Sequence, residues 1–387
     1  MTASRIYLDH NATTPLHPRA AAILEQAISL ESHARAHASS VHAEGRAARA
    51  RLTRARRDIA EKLGAPDTHV CFVSSGSESC AMAIAGMLRA RATPKRNTLL
   101  VSALEHPAVT LAAEQLSKSG IEVRTVAPMP NGQLTAEALA AAIDDSVFAC
   151  TLQSVNHETG ALQPVEAAAA LCQSRDILFH TDAAQAVGKL PVRFLGPGTL
   201  LSFSAYKFGG PVGVGALIAS PELPLLPLVP GHQEGGRRGG AIPVSLCEAA
   251  ASALLAVTAE QETENRRLGV LRDDFEKAAL DRFKGARRNG TAARIANTSN
   301  LCFPGIEADA LLMALDLDGF AISTGAACAS GSLKPSPTLR AMGLSLADAR
   351  ASIRVSLGRT THPGDLTALL NALERRLPEL GFGRYVV

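Results

Sequence analysis

The stretch Ser202–Leu217, SFSAYKFGGPVGVGAL, sets a single lysine between a run of small and apolar residues and a glycine-rich turn. A solvated loop lysine is the plain reading of Lys207, yet glycines and apolar neighbours on both sides indicate tight backbone packing. The residues leading into it, GTLLSFSAYK, read as a short strand bounded by turn residues. Five more runs of that kind lie upstream: THVCFVSSGSES, RNTLLVSALEH, IEVRTVAPMPNG, FACTLQSVNHETG and DILFHTDAAQ. Alanine-rich helical patterns separate them. Such alternation predicts an α/β domain built on a mainly parallel sheet. Ligands of these sheets bind beyond the carboxyl ends of the strands. Here those ends carry Ser75 to Ser77, His106, Asn156 to Glu158, Asp182 with Gln185, and Ser204 to Lys207. Downstream, a long charged helical pattern, TAEQETENRRLGVLRDDFEKAALDRF, leads to a segment of its own strands and helices, which reads as a second, smaller α/β domain.

With 387 residues, 47% of them hydrophobic and 19% charged, the chain is long enough for about two domains of roughly 100 to 250 residues. A net charge of +3, with no long run of one sign, gives no reason to expect a nucleic-acid partner. No apolar stretch approaches the roughly 18 residues of a membrane span, and MTASRIYLDHNATTP lacks the pattern of a secretion signal, so no membrane is expected and the location is read as cytoplasmic. The seven cysteines are scattered and none falls in a CxxC pair, which argues against a disulfide framework or a structural zinc site. Six lie in apolar or alanine-rich surroundings and read as small hydrophobes. Cys328 lies instead in STGAACASGSLKPSPTLRAMG, a small-residue segment with the composition of a loop. A thiol there is either a nucleophile or an incidental exposed cysteine.

Alone, Asp182 at the end of an apolar strand reads as a cap or turn residue. Paired with Lys207 one βα unit later, it matches what a pyridoxal phosphate enzyme needs: an amine to hold the cofactor and a carboxylate to keep its ring nitrogen protonated. The strand, Ser-Gly-Ser turn and helix of CFVSSGSESCAMAIAGML offer free N–H groups and a positive dipole end to a phosphate, with Ser77 adding its hydroxyl. The same residues also make an ordinary helix cap. His106 ends another strand just before a helix-starting proline, where it is either structural or able to stack on a ring and move protons. Arg354, among apolar residues in ASIRVSLGR, suits a substrate carboxylate or a structural salt bridge.

Together these motifs resemble the cysteine desulfurases of the class V aminotransferase group, and the similarity runs over essentially the whole chain. It is carried by YLDHNATTP, SSVHAEGR, SSGSES, EHPAV, VNHETGALQPV, HTDAAQAVGKLPV, the Lys207 stretch, QEGGRRGG, the Cys328 segment and SIRVSLGR. The segment around Cys328 is similar to that of the group I enzymes, which feed iron–sulfur cluster assembly and thiolation. The resemblance implies the fold type I of pyridoxal phosphate enzymes. That means a large domain with a mainly parallel seven-stranded sheet over residues 16–256, and a small domain of residues 1–15 and 257–387 carrying Cys328 and Arg354. It further implies that pyridoxal 5'-phosphate bonds Lys207, that Asp182 faces the ring nitrogen, that Gln185 bonds the phenolic oxygen and that His106 stacks on the ring. Gly76, Ser77 and Ser204 would hold the phosphate, with Tyr206 and His157 also near the cofactor. Arg354 and Asn156 would bind L-cysteine, and Cys328 would take its sulfur as a persulfide and pass it to an acceptor or scaffold protein. A homodimer without a metal is implied as well.

Several positions depart from the family. Tyr206 stands where a histidine is common, Ala241 where a threonine reaches the partner's phosphate, and His157 where many members have asparagine. RAHASS replaces Gly-Asn-Pro-Ser-Ser, and Cys80-Ala81 replaces an Asp-Asn pair. The expected reaction is conversion of L-cysteine to L-alanine. The alternatives are another pyridoxal phosphate reaction on the same scaffold, such as selenocysteine lyase or aminotransferase, and a non-catalytic scaffold.

Overall fold

The computed structural model describes residues 5–28, 37–90, 95–225, 227–324 and 335–383. Its first half runs β1 (Ile6–Tyr7), α1 (Pro18–Ile28), α2 (Ala43–Leu63), β2 (Val70–Val73), α3 (Gly76–Ala90), β3 (Thr98–Ser102), α4 (Pro107–Lys118), β4 (Glu122–Val126), α5 (Ala136–Ala142), β5 (Val147–Thr151), α6 (Val165–Ser174), β6 (Leu178–Asp182), β7 (Thr199–Ser204) and β8 (Gly215–Ala219). There follow α7 (Val244–Arg282), β9 (Arg287–Arg288), β10 (Thr298–Cys302), α8 (Ala308–Leu317), β11 (Phe320–Ala321), α9 (Pro337–Ala341), α10 (Leu346–Arg350), β12 (Ser352–Ser356) and α11 (Pro363–Glu379).

Each of the six runs expected as strands forms one, and β8 supplies a seventh. The sheet order is β2-β8-β7-β6-β5-β3-β4, with β8 antiparallel to both neighbours and the other pairings parallel. Strands β2, β3, β5, β7 and β8 are buried at every residue, as a sheet covered by helices on both faces requires. One glycine of the opening stretch, Gly215, begins β8. A Cβ on Gly215 would lie 2.6 Å from the Phe203 oxygen and 2.8 Å from the Ser75 carbonyl carbon, so only glycine lets β8 approach β7 and the turn before α3.

A polar thread crosses this apolar core. The His180 ring bridges Thr151 Oγ1 at 2.8 Å and Ser202 Oγ at 2.9 Å, and Ser79 Oγ donates to Ser202 Oγ at 2.7 Å. It ties β5, β6, β7 and α3 together side by side, and in a dry core such bonds specify register.

The charged helical pattern proves to be the second half of a longer helix. Val244, Cys247 and Leu254 of α7 pack in the core of the large sheet, whereas Leu268, Phe275 and Ala279 pack with Leu8, Phe303 and Leu369 in a separate core. The buried face changes along the helix, which hides the periodicity of its alanine-rich start. The second core lies against the antiparallel β12-β10-β9 sheet, and the chain's beginning joins it through the parallel pair β1-β11. No helix among the described residues is long and apolar enough to cross a membrane.

Candidate functional site

A cleft of about 670 Å³ opens where β6 and β7 end and α3 begins. On its wall stand Lys207, Asp182, Gln185, His106, His157, Gly76, Ser77, Ser204, Tyr206 and Arg354, residues that the sequence scatters from 76 to 354. Cys328 lies outside the described residues.

Strand ends fix the two central groups. Asp182 closes β6, and its Oδ1 accepts from the Ala184 N–H at 2.9 Å, so it is also the cap that the cautious reading expected. Burial pushes its carboxyl above the ordinary value, and the charges of His106 and Lys207 pull it back. Lys207 ends a one-turn 3-10 helix after β7; its Nζ donates to the main-chain oxygens of Asn11 at 2.7 Å and Ala12 at 2.9 Å and sits 4.9 Å from the centre of the Tyr206 ring.

His106 is the N-cap of α4, ahead of Pro107. Its Nδ1 accepts from the Ala108 N–H at 3.1 Å, which places the ring proton on Nε2 in the neutral form. Burial lowers its pKa and the nearby Asp182 raises it in part. The His157 ring meets His106 edge-on at 5.2 Å, is held neutral by burial, and its buried Nδ1 has no hydrogen-bond partner among the described residues.

At the opposite wall α3 begins with Gly76, whose N–H donates to Ser204 Oγ at 2.6 Å. A Cβ on Gly76 would lie 2.6 Å from that same oxygen, so the residue must be glycine for the helix end to reach the floor of the cleft. Burial keeps the Cys80 thiol protonated, and its neighbours Asp182 and Glu105 add to the effect.

Arg354 faces the cleft from β12. Nη2 pairs with Asp9 Oδ1 at 2.6 Å, Nη1 donates to the His157 oxygen at 2.8 Å, and Nε is buried without a partner among the described residues. The salt bridge held open for this residue is therefore present, and one donor remains unused. Asn156, which the resemblance makes a substrate ligand, immediately precedes His157. It is buried but not on the cleft wall; its Oδ1 is occupied by the N–H groups of Glu158 and Thr159 and the Thr159 hydroxyl, because an Asx side chain readily closes the turn that follows it.

Sequence reasoning assigned no role to Asp9, Asn11, Gln153 or Lys189. Asn11 and Gln153 line the cleft, and Lys189 Nζ bonds Gln185 Oε1. The polar run DHN after β1 and the lysine of AVGKLPV were the available signals.

The Aminotransferase class-V family pattern matches residues 6–369. The chain is 37% identical over 376 residues to the "IscS-like cysteine desulfurase" of Mycobacterium tuberculosis, covering 95% of each. The chain belongs to the cysteine desulfurase family of class-V aminotransferases. Among solved structures it superposes on a "NIFS-LIKE PROTEIN" with a TM-score of 0.87 and 27% identity, over 97% of this chain and 100% of that one. It also superposes on "SspA in complex with cysteine" with a TM-score of 0.78 and 31% identity, over 91% and 98%.

Proposed function

We infer that this protein is a pyridoxal 5'-phosphate-dependent cysteine desulfurase, converting L-cysteine to L-alanine and carrying the sulfur away as a persulfide on Cys328. The observation that carries the reading is one cleft with Lys207, Asp182 and the N-terminus of α3 on its walls.

These residues fit the cofactor. A lysine stands near a partly buried carboxylate, a helix start with Gly76 and Ser77 faces the cleft, and polar atoms of His157 and Arg354 are left unpaired beside it. When bound, the cofactor supplies a conjugated ring that draws electrons from the bonds at the substrate α-carbon. Lys207 would hold it covalently, and the Lys207 amine, when free, would move the α-proton. Asp182 would keep a positive charge on the ring nitrogen. Gln185 would donate to the phenolic oxygen, His106 would lie against the ring with its Nε2 available for proton transfer, and Ser77, Ser204 and Tyr206 would hold the phosphate with the α3 dipole. Arg354 takes the substrate carboxylate. Asn156 serves indirectly by shaping the turn that presents His157.

Cys328 would attack as the thiolate: its sulfur bonds to the substrate sulfur while the substrate C–S bond breaks, the electron pair of that bond stays on the β-carbon and takes up a proton there, and the products are an S–SH persulfide on Cys328 and alanine. The ends of its segment support this. Ser323 pairs through its backbone with Arg354, and Ser336 Oγ donates to Glu158 Oε2 at 2.6 Å, so both flanks lie beside His157. Five residues from Ser323 span at most about 18 Å when extended, enough for the thiol to reach the cleft.

The reading is completed by a division into a large domain of residues 16–256 and a small domain of 1–15 with 257–387. It places the protein in the cytoplasm as a homodimer serving a sulfur acceptor. Incubation of the purified protein with L-cysteine and a reductant should yield alanine and sulfide in equal amounts. Absence of alanine would overturn the reading.

A further inference from the structure

Gln185 lies between two clefts. Its side chain forms part of the wall around Lys207 and Asp182, while Lys189 lines a neighbouring cleft of about 750 Å³ that shares Lys207 with the first. Lys189 Nζ crosses between them, donating to Gln185 Oε1 at 2.6 Å and to Asn11 Oδ1 at 3.1 Å. Gln185 Nε2 in turn donates at 2.9 Å to the main-chain oxygen of Asn11, the oxygen that also accepts from Lys207. The Asn11 amide cannot turn to compete, because its Nδ2 is bound to Thr298 Oγ1 at 2.8 Å and Asn297 Nδ2 donates to its Oδ1 at 3.1 Å. Lys189 is itself held through its backbone oxygen, which accepts from Asn265 Nδ2 at 2.7 Å.

An amide has one accepting end and one donating end. A side chain that binds the oxygen decides where the nitrogen points. Here the donor comes from the side of the second cleft, so the Gln185 NH2 is turned towards Asn11 and Lys207.

We propose that Lys189 is a positioning residue, which by donating to Gln185 Oε1 turns the Gln185 NH2 towards the phenolic oxygen of the cofactor. The proposal rests on the reading of Gln185 as that oxygen's partner. The cost of keeping an amine here is real. Burial, Lys207 and Arg354 all push the Lys189 amine well below the usual lysine value, yet it donates to both oxygens whether charged or neutral. The other charged and titratable groups facing it across the second cleft are His10, His17, Glu260, Glu264 and Arg359, and all stay in place in the variants below.

A donor at the phenolic oxygen stabilises its negative charge and so weakens the hold of the adjoining Lys207 linkage on its proton. Loss of the donor therefore raises the pH midpoint of the visible absorbance of the cofactor-loaded protein. Lys189→Met and Gln185→Leu are each expected to raise that midpoint by about 0.5 to 1 pH unit, the worth of one hydrogen bond. The double variant is expected to rise no further, since the two residues act in series. Lys189→Arg, which keeps donors at the end of a side chain that lines the second cleft, should return the native midpoint. Additive shifts, or a shift in Gln185→Leu with none in Lys189→Met, would overturn this proposal and leave the role of Gln185 standing. A Lys189→Arg midpoint equal to that of Gln185→Leu would overturn it even if Lys189→Met did not fold. An unmoved midpoint in Gln185→Leu itself would remove the cofactor role of Gln185, and this proposal with it.

Discussion

The amine of Lys207 lies 2.7 Å from the main-chain oxygen of Asn11, so the beginning of the chain reaches across the cleft to the residue at the end of β7. No side chain of the Asn11–Ala12 pair is needed for that contact. Lys207→Ala is expected to lose the near-ultraviolet absorbance of the covalently attached cofactor that borohydride reduction fixes to the native protein and dialysis leaves in place, and to lower turnover by at least about 10³-fold, as removal of a covalent catalyst does. A variant that keeps the absorbance would show that another amine holds the cofactor, with Lys189 the first to test.

For Asp182→Asn, the amide oxygen can still accept from the Ala184 N–H, so the strand end keeps its cap and the unfolding temperature should move by only a few degrees. The charge facing the ring is lost. Turnover should fall by roughly 10² or more while cofactor stays bound. A near-native rate would reduce Asp182 to its capping role.

Arg354→Lys separates two roles. A lysine can retain a single contact with Asp9 but not the guanidinium fork, so the Michaelis constant for L-cysteine should rise about tenfold, corresponding to roughly 1.4 kcal/mol. A change confined to thermal stability would make the Asp9 ion pair the whole function of this residue.

Cys328→Ser should bind cofactor and L-cysteine yet release almost no sulfide, because a hydroxyl cannot carry a persulfide. The other six cysteines are all buried. Burial pushes the Cys71 thiol up to about 12 and holds Cys80 protonated, and the hydrogen bond with Cys172 together with burial does the same for Cys150, so none of these three is a ready thiolate. Mass spectrometry after one turnover should place the added sulfur on the peptide containing Cys328. Sulfur on Cys80 would refute the assignment.

The pH dependence of folding should report the buried histidines. His180 is lowered to about 3 and His10 to about 4, both chiefly by burial. Above about pH 6.5, the ordinary value, neither state carries the proton. As the pH falls from there, the unfolded chain binds protons that the folded chain refuses, and stability is lost down to the folded values. Buried acids such as Glu105, whose carboxyl is pushed up, act with the opposite sign, so the comparison must be made within one group. His180→Gln should be less stable near pH 7 but should lose less on going to about pH 5. An equal loss in both proteins would exclude His180 from the titration.

Much of the site could be read before the fold was known because most of its residues lie at or shortly after the carboxyl end of a strand. Mainly apolar runs of five or six residues, closed by Asp182 or Ser204 or followed by His106 four residues after Ser102, give a local signal that does not depend on what packs on them. Residues that act through neighbours had no such signal. Asn156 looks like a cleft residue in the sequence, and only its three incoming bonds show that it shapes a turn. Lys189 lies in a stretch that ends no strand, and its amine matters because of where Gln185 and Asn11 bring their oxygens.

The sequence by itself determined the α/β class, the mainly parallel sheet, the lysine and carboxylate of the central pair, and the burial of six cysteines, because these follow from short-range patterning of apolar, turn and polar residues. Tertiary structure alone decided that β8 runs antiparallel between β2 and β7 and that α7 extends back to Val244, its buried face shared between two cores. It also brought Asp9 to Arg354 and Asn11 to Lys207 across 345 and 196 positions of chain. Pairings so distant cost chain entropy that no local preference can reveal. They are held because two separate apolar cores fold around one cleft and bring these polar partners to its walls.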